Sequence, residues 1–254
     1  MFSLLHPTKA IERFRQGTLS EAALFRSLMA FDGWFLPTQT DSDGAPSIVS
    51  FQSGEGRRRL LIFTDEDAIE TCLDQESLEF GDQCLLTNGT ELFWSVENSF
   101  ATIEINPHSP AEMVFVSEQI PKLKQWARSV MVETALSTVD VEETPLGFLK
   151  DFDGYIVVLR KVGDGAQMVL APDNQGRQLA AVFTAEDTLE AFLLDILSVT
   201  EFEPLPIRLN GNKLFRQILE MPVEGVVFNC CGPVTARAFG KKLAEYVLSA
   251  EEPL

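Results

Sequence analysis

Histidine is nearly absent from this chain, with only His6 and His108 among 254 residues, and tyrosine occurs twice. Two isolated histidines cannot build an imidazole-rich metal cage, and no Ser, His and Asp set with a nucleophile-elbow sequence is present. Cysteine is scarce as well. Cys72, Cys84, Cys230 and Cys231 show no CxxC spacing, which argues against a zinc site and for free thiols in a reducing compartment. Basic residues are outnumbered, 20 Lys and Arg against 38 Asp and Glu, giving a formal net charge of −18. That charge repels a phosphate backbone and an anionic bilayer, so neither nucleic acid nor a membrane is an expected partner. No apolar run is long enough to span a bilayer, and Lys9, Glu12, Arg13 and Arg15 fall too early for the apolar region of a signal peptide. A cytosolic location is expected. Gly-rich phosphate loops of the GxxxxGK[ST] or GxGxxG type are missing, and no cofactor or metal is expected.

What is present is an internal echo. Gly56-Arg57 and Phe63-Thr64-Asp65-Glu66-Asp67 return as Gly176-Arg177 and Phe183-Thr184-Ala185-Glu186-Asp187, 120 positions on. Gly33 and Asp43-Gly44-Ala45 meet Gly154 and Asp164-Gly165-Ala166 at a shift of 121. Gly89, Leu92 and Phe93 meet Gly211, Leu214 and Phe215 at 122, and Asn106 and Pro110 meet Asn229 and Pro233 at 123. A drift of one residue at a time is what single loop insertions produce in two copies of one fold. The chain reads as a tandem duplication. The expected division is an N-terminal helical hairpin over residues 1–32, a first repeat over 33–136, a connecting segment over 137–153 and a second, diverged repeat over 154–254.

Local signals give each repeat an order. Pro7 to Gln16, ended by Gly17, and Leu19 to Ala30 read as the hairpin helices, the second opened by a Thr18/Glu21 capping box. Trp34–Thr40, Pro46–Phe51 and Arg59–Phe63 read as strands joined by turns at Asp43-Gly44 and Gly54-Glu55-Gly56. Thr64 is the expected N-cap of the helix that follows, with Glu66 and Asp67 favouring its positive end. A strand at Gln83–Leu86, a helix at Thr90–Asn98, a strand at Phe100–Ile105 and a helix from Ser117 complete the unit. The second repeat follows the same order and ends in a helix from Thr235 to Leu248. The fold class is mixed α/β (α+β): two related units, each βββαβαβα around a five-stranded mixed sheet with right-handed crossovers, plus the hairpin.

Two of these stretches carry a family resemblance. Leu60-Leu61-Ile62-Phe63-Thr64-Asp65-Glu66-Asp67, followed by Ile103-Glu104-Ile105-Asn106-Pro107-His108-Ser109-Pro110, resembles the SseB N-terminal domain family, with its "LFTS/D-E" strand and helix start and its "INPGSP" strand end. The resemblance runs over roughly Gly33 to Leu123. In the second repeat Cys230-Cys231-Gly232 stands where the first has Pro107-His108-Ser109, and His108 stands where the family usually has glycine. The resemblance implies a soluble bacterial protein and supplies no catalytic residue.

Candidate functional residues lie where the copies differ. Asn106, Pro107, His108, Ser109 and Pro110, and Asn229, Cys230, Cys231, Gly232 and Pro233, follow the parallel strands at their carboxyl ends, where α/β sheets place binding sites. The plainer reading is that each Asn caps its strand end or forms an Asx-turn. His108 and Cys231 occupy equivalent positions, and if the loops met, an imidazole could activate the Cys231 thiol. The acidic pairs Glu66/Asp67 and Glu186/Asp187 are explained by helix dipoles, and the run Arg57-Arg58-Arg59 reads as a solvated strand start, with pairing to the abundant carboxylates as the added expectation. Trp94 points away from the core face set by Leu92, Phe93 and Val96, while its counterpart is Arg216. It reads as an interface residue or as one buried under the N-terminal helices. The expected function is non-catalytic, through binding to another protein, with repeats that pack together and a homo-oligomer compatible with the sequence. The alternative is a thiol-dependent enzyme or small-ligand sensor using the loops 106–110 and 229–233.

Overall fold

The computed structural model describes residues 4–40, 46–52, 56–76, 83–138, 146–198 and 202–250. The chain is α+β, with nine α-helices and fourteen strands among the described residues, and it divides into two units, residues 2–128 and 129–254. The expected turns at Asp43-Gly44 and Gly54-Glu55, and residues 139–145 of the expected connecting segment, lie outside the described residues.

In the first unit, α1 (Pro7–Arg15) and α2 (Glu21–Ala30) form the hairpin. Pro7 occupies the first turn, where its missing N–H costs nothing, and Gly17 at φ +68° turns the chain out. The cap of α2 is Ser20, whose Oγ accepts from the Ala23 N–H at 3.2 Å, not Thr18 as expected. The Thr18 hydroxyl donates instead to the Arg13 carbonyl, closing the end of α1.

Strand β1 (Trp34–Thr40) pairs antiparallel with β2 (Pro46–Ile48) and β5 (Gln83–Thr87). A second sheet runs β3 (Phe51–Gln52), β4 (Arg58–Ile62), β6 (Thr102–Ile105), β7 (Met113–Val116), with β4 and β6 parallel. Reciprocal backbone bonds of 2.9 and 3.0 Å between Phe35 and Phe63 join the two sheets. Helix α3 (Glu66–Glu76) connects β4 to β5, and α4 (Gly89–Ser95) connects β5 to β6. A 3-10 turn, Ser117–Gln119, then leads into α5 (Ile120–Thr138). This departs from the expected single five-stranded sheet, since the strands divide between two sheets. The expected strand 46–51 is split into β2 and β3, and β7 is an additional antiparallel strand after the Asn106–Pro110 turn.

In the second unit, α6 (Gly147–Asp151) precedes one seven-stranded mixed sheet. Its path is β12 (Pro204–Leu209), β8 (Tyr155–Val162), β11 (Gln178–Phe183), β13 (Gly225–Phe228), β14 (Arg237–Gly240). β9 (Gly165–Met168) adds to β8 and β10 (Leu170–Pro172) to β11. The helices are α7 (Glu186–Leu197), α8 (Gly211–Glu220) and α9 (Lys242–Ser249). The expected helix from Thr235 is corrected here: Arg237–Gly240 is strand β14, and α9 begins at Lys242. The Arg237 guanidinium donates to the carbonyls of Leu136 and Ser137 at the last turn of α5, which fixes that segment as extended.

Each unit has an aromatic core stack with one polar handle. In the first, Phe31, Trp34 and Phe93 meet edge to face, and the Trp34 Nε1–H donates to the Leu28 carbonyl at 3.1 Å. In the second, Phe152, Tyr155 and Phe215 do the same, and the Tyr155 hydroxyl donates to the Leu149 carbonyl at 3.2 Å. Full burial of each such ring contributes about 1.5–3 kcal/mol, provided the polar atom finds its partner.

Candidate functional site

The loop after β6 begins with an asparagine that is 2% exposed and sits at φ +46°. Left-handed backbone is tolerated by Asn far better than by branched residues. Asn106 Oδ1 accepts from the Thr64 N–H at 2.9 Å, and Nδ2 donates to Thr64 Oγ1 at 2.8 Å. The side chain thus ties the ends of the parallel strands β4 and β6 together, as the plainer sequence reading described. Because Thr64 is engaged in this clasp, the helix cap passes to Asp65, whose Oδ1 accepts from the Ala68 N–H at 2.8 Å. This corrects the Thr64 cap. Pro107 is buried, Ser109 closes the turn by accepting at Oγ from the Ala111 N–H, and the exposed Pro110 offers its carbonyl to Arg15 at 2.9 Å.

His108 also has positive φ, +64°. Its ring is 41% exposed, and Nε2 lies 2.8 Å from Glu76 Oε1. Behind it is a charge cluster assembled from three elements. Arg59 shares one face of β4 with the buried Leu61, the face that α3 covers with Cys72 and Glu76, one helical turn apart. The guanidinium binds Glu76 through both terminal nitrogens, at 3.0 and 2.9 Å, and Glu104 through Nε and Nη2, at 2.8 and 2.6 Å. Thr102 adds a bond to Glu104 at 2.8 Å. Arg59 thus pairs with carboxylates, as one part of the reading of the basic run had it, and is not left solvated. The two carboxylates raise its pKa, and Arg59 in turn holds the Glu76 carboxyl below the usual carboxylate range against the opposing effect of burial. Burial pushes the neighbouring Cys72 thiol up to about 11. Sequence reasoning missed Glu76 and Glu104, whose only sequence signal was their place on α3 and β6.

Residues 8–122 match the family model described as the SseB protein N-terminal domain. Over that stretch the chain is similar to the SseB N-terminal domain. No curated protein and no solved structure matches the chain. The clasp, the charge cluster and the partners named for them lie within these matched residues.

The second unit carries a comparable clasp outside the matched residues. Asn229, at φ +50° and 2% exposed, accepts at Oδ1 from the Thr184 N–H at 3.1 Å and donates from Nδ2 to Thr184 Oγ1 at 2.9 Å. Thr184 Oγ1 bonds Glu133 Oε1 at 2.6 Å. Cys230 and Cys231 follow, both partly exposed and packed against the cluster of Phe183, Leu189 and Phe192. Gly232 at φ +112° and the partly exposed Pro233 lead the chain away. Cys231 Sγ lies 3.8 Å from Asp195 Oδ2. Burial and the neighbouring sulfur push Cys230 up to about 12, and burial together with Asp195 raises Cys231. A nucleophilic thiol needs the opposite direction. His108 has Glu76 as its partner and Cys231 has Asp195, each within its own unit.

Trp94, on α4 within the matched residues, is 41% exposed. Burial under the N-terminal helices does not occur. Its ring lies under Lys124 Nζ at 5.7 Å and Arg128 Cζ at 5.3 Å, two residues four apart on one face of α5. Arg216 in the second unit bonds Asn212 on its own helix. Among the described residues no group of three or more His, Cys, Asp or Glu is placed to hold a metal ion, and no helix is long and apolar enough to cross a membrane.

Proposed function

We propose that the protein acts in the cytoplasm by docking another protein through its SseB-like domain, without catalysis of its own. The observation that carries this reading is Trp94. A tryptophan held open between two cations loses little side-chain entropy on binding and offers a large apolar area, which is the profile of an interface anchor. The charge cluster and the clasp are engaged internally: Arg59 binds both Glu76 and Glu104, and both ends of the Asn106 amide bond Thr64. Affinity capture from a soluble extract tests the reading, comparing the wild type with Trp94→Ala. Loss of the same captured proteins from the variant, at unchanged folding, is the expected result; an identical set would overturn it.

We infer further that the two units are diverged copies of one ancestral unit. The paired clasps Asn106/Thr64 and Asn229/Thr184 support this, as do the paired aromatic stacks on Trp34 and Tyr155. Relatives whose single unit aligns with both halves would strengthen it, and a match of residues 129–254 to an unrelated family would end it.

A further inference from the structure

We propose that the outer edge of β5 pairs antiparallel with β5 of a second copy of this chain. β5 ends its sheet, bonded to β1 on one side only. Which of its backbone groups face outward follows from β1. Phe35 exchanges bonds with Phe63, and the Pro37 carbonyl accepts from the Val49 N–H, so both residues turn their backbone away from β5. Their register partners, Leu86 and Cys84, therefore turn N–H and C=O away from β1. Among the described residues no backbone hydrogen bond reaches these outward groups. The side chains are open as well: Cys84 is exposed, Leu85 is 45% exposed and Leu86 58%.

The second unit shows the same edge closed. β12 ends its sheet beside β8, and Asn210 caps α8 directly after it, as Asn88 caps α4 after β5. Counted back from the capping asparagine, Pro206 stands where β5 has Cys84, and Arg208 where it has Leu86. These positions also face outward, since the Val158 carbonyl, in register with Pro206, accepts from Val169 on the far side of β8. Proline has no N–H to offer a further strand, and Arg208, bonded to Glu186 at 2.7 Å, places a charged side chain on the edge. Both devices discourage strand addition, and β5 has neither.

A second copy meets every requirement of this edge. With a two-fold axis through Leu85, Cys84 of each copy lies opposite Leu86 of the other, and each pair exchanges N–H and C=O, leaving no outward group unpaired. Leu85 then faces its own copy at the closer, non-hydrogen-bonded pair, where apolar side chains gain most contact. Gln83–Thr87 carries no charged residue, so the ladder sets no like charges opposite each other, although a net charge of −18 repels the two copies as wholes. Salt screens that repulsion. The ladder is five residues long, against about 20–30 residues a side in a standard interface, so the dimer is a weak one.

Sedimentation equilibrium of the full chain over a wide concentration range tests this. A reversible monomer–dimer equilibrium is expected, tighter at higher salt. Leu85→Lys and Leu85→Glu each set like charges face to face and should weaken association about tenfold or more, while an equimolar mixture of the two should recover it. Leu86→Arg copies the edge of β12 and should weaken association too, with urea midpoints checking that each variant stays folded. A dimer insensitive to these variants, a mixture no stronger than its components, or a chain monomeric at every concentration would overturn the proposal. A monomer that instead binds a neutral Leu-containing extended peptide, and loses it in Leu86→Arg, would assign the edge to another protein and equally overturn it.

Discussion

A Cβ placed on Gly89 would stand 2.0 Å from the carbonyl oxygen of Leu28. The start of α4 therefore rests directly on the end of α2, with the Gly89 N–H donating to the Phe31 carbonyl at 2.7 Å. Gly211 stands in the same relation to the Leu149 carbonyl, also 2.0 Å, and donates to Phe152 at 2.7 Å. Here glycine is required by space, not by φ.

Gly89→Ala and Gly211→Ala should each destabilise the chain by about 3 kcal/mol or more, because the obstacle is backbone that cannot rotate away. Urea denaturation provides the measurement. A midpoint within error of the wild type for either variant would show that the contact is looser than the geometry indicates.

The asparagine clasp makes a graded prediction. Asn106→Gly keeps the left-handed backbone and loses two hydrogen bonds, while Asn106→Ala loses the bonds and adds conformational strain. Leaving the buried Thr64 N–H unpaired costs about 1–3 kcal/mol, and the strain adds about 1 kcal/mol. Alanine should therefore be the more destabilising of the two in equilibrium unfolding, and the reverse order would contradict the role assigned to φ.

These two predictions also mark what the sequence made legible. Gly89, Gly211, Asn106 and Asn229 stood out as positions kept across the internal echo, and short-range signals located most strands and helices. Caps were misplaced by one or two residues, since Thr18, Ser20, Thr64 and Asp65 are all competent caps and only long-range partners decide among them. Strand β14 was hidden because Phe239, Leu243, Tyr246 and Val247 continue a helical spacing through residues that Arg237 holds extended. The Arg59 cluster was invisible for a different reason: its members come from β4, α3 and β6, and no local pattern joins them.

Removing one member of that cluster leaves a charge without its partner. Glu76→Gln should cost about 1–3 kcal/mol at neutral pH. In the wild type the Glu76 carboxyl is held below its ordinary value, so the unfolded chain takes up this proton first as the solution is acidified. Its stabilisation is complete above the unfolded value and disappears as pH falls through the folded one. The gap between wild type and variant, followed by urea midpoints from pH 7 down to about pH 3, should therefore narrow on acidification. A constant gap would remove Glu76 from the acid response.

His108 offers a separation of strain from bonding. His108→Gly relieves the positive φ but loses the exposed contact to Glu76, two terms of about 1 kcal/mol that oppose each other. His108→Ala loses the contact and keeps the strain. Glycine should thus be close to neutral and alanine destabilising by about 1 kcal/mol in thermal or urea unfolding.

Cys231 should alkylate more slowly than free cysteine at neutral pH, because burial and Asp195 both oppose its thiolate. Asp195→Asn should speed the reaction by removing one of these two causes. Mass-spectrometric rates with iodoacetamide settle the matter, and a rate above that of the free amino acid would revive a nucleophilic role.

The two clasps differ in the residue that follows the asparagine: Pro107 after Asn106, Cys230 after Asn229. Spontaneous deamidation of asparagine starts when the next backbone nitrogen, having lost its proton, attacks the side-chain carbonyl carbon to form a succinimide. Proline has no such proton to lose. Chemical ageing of the chain therefore has a route into the second clasp that is closed in the first, and damage from long storage should collect at residue 229 before it reaches residue 106.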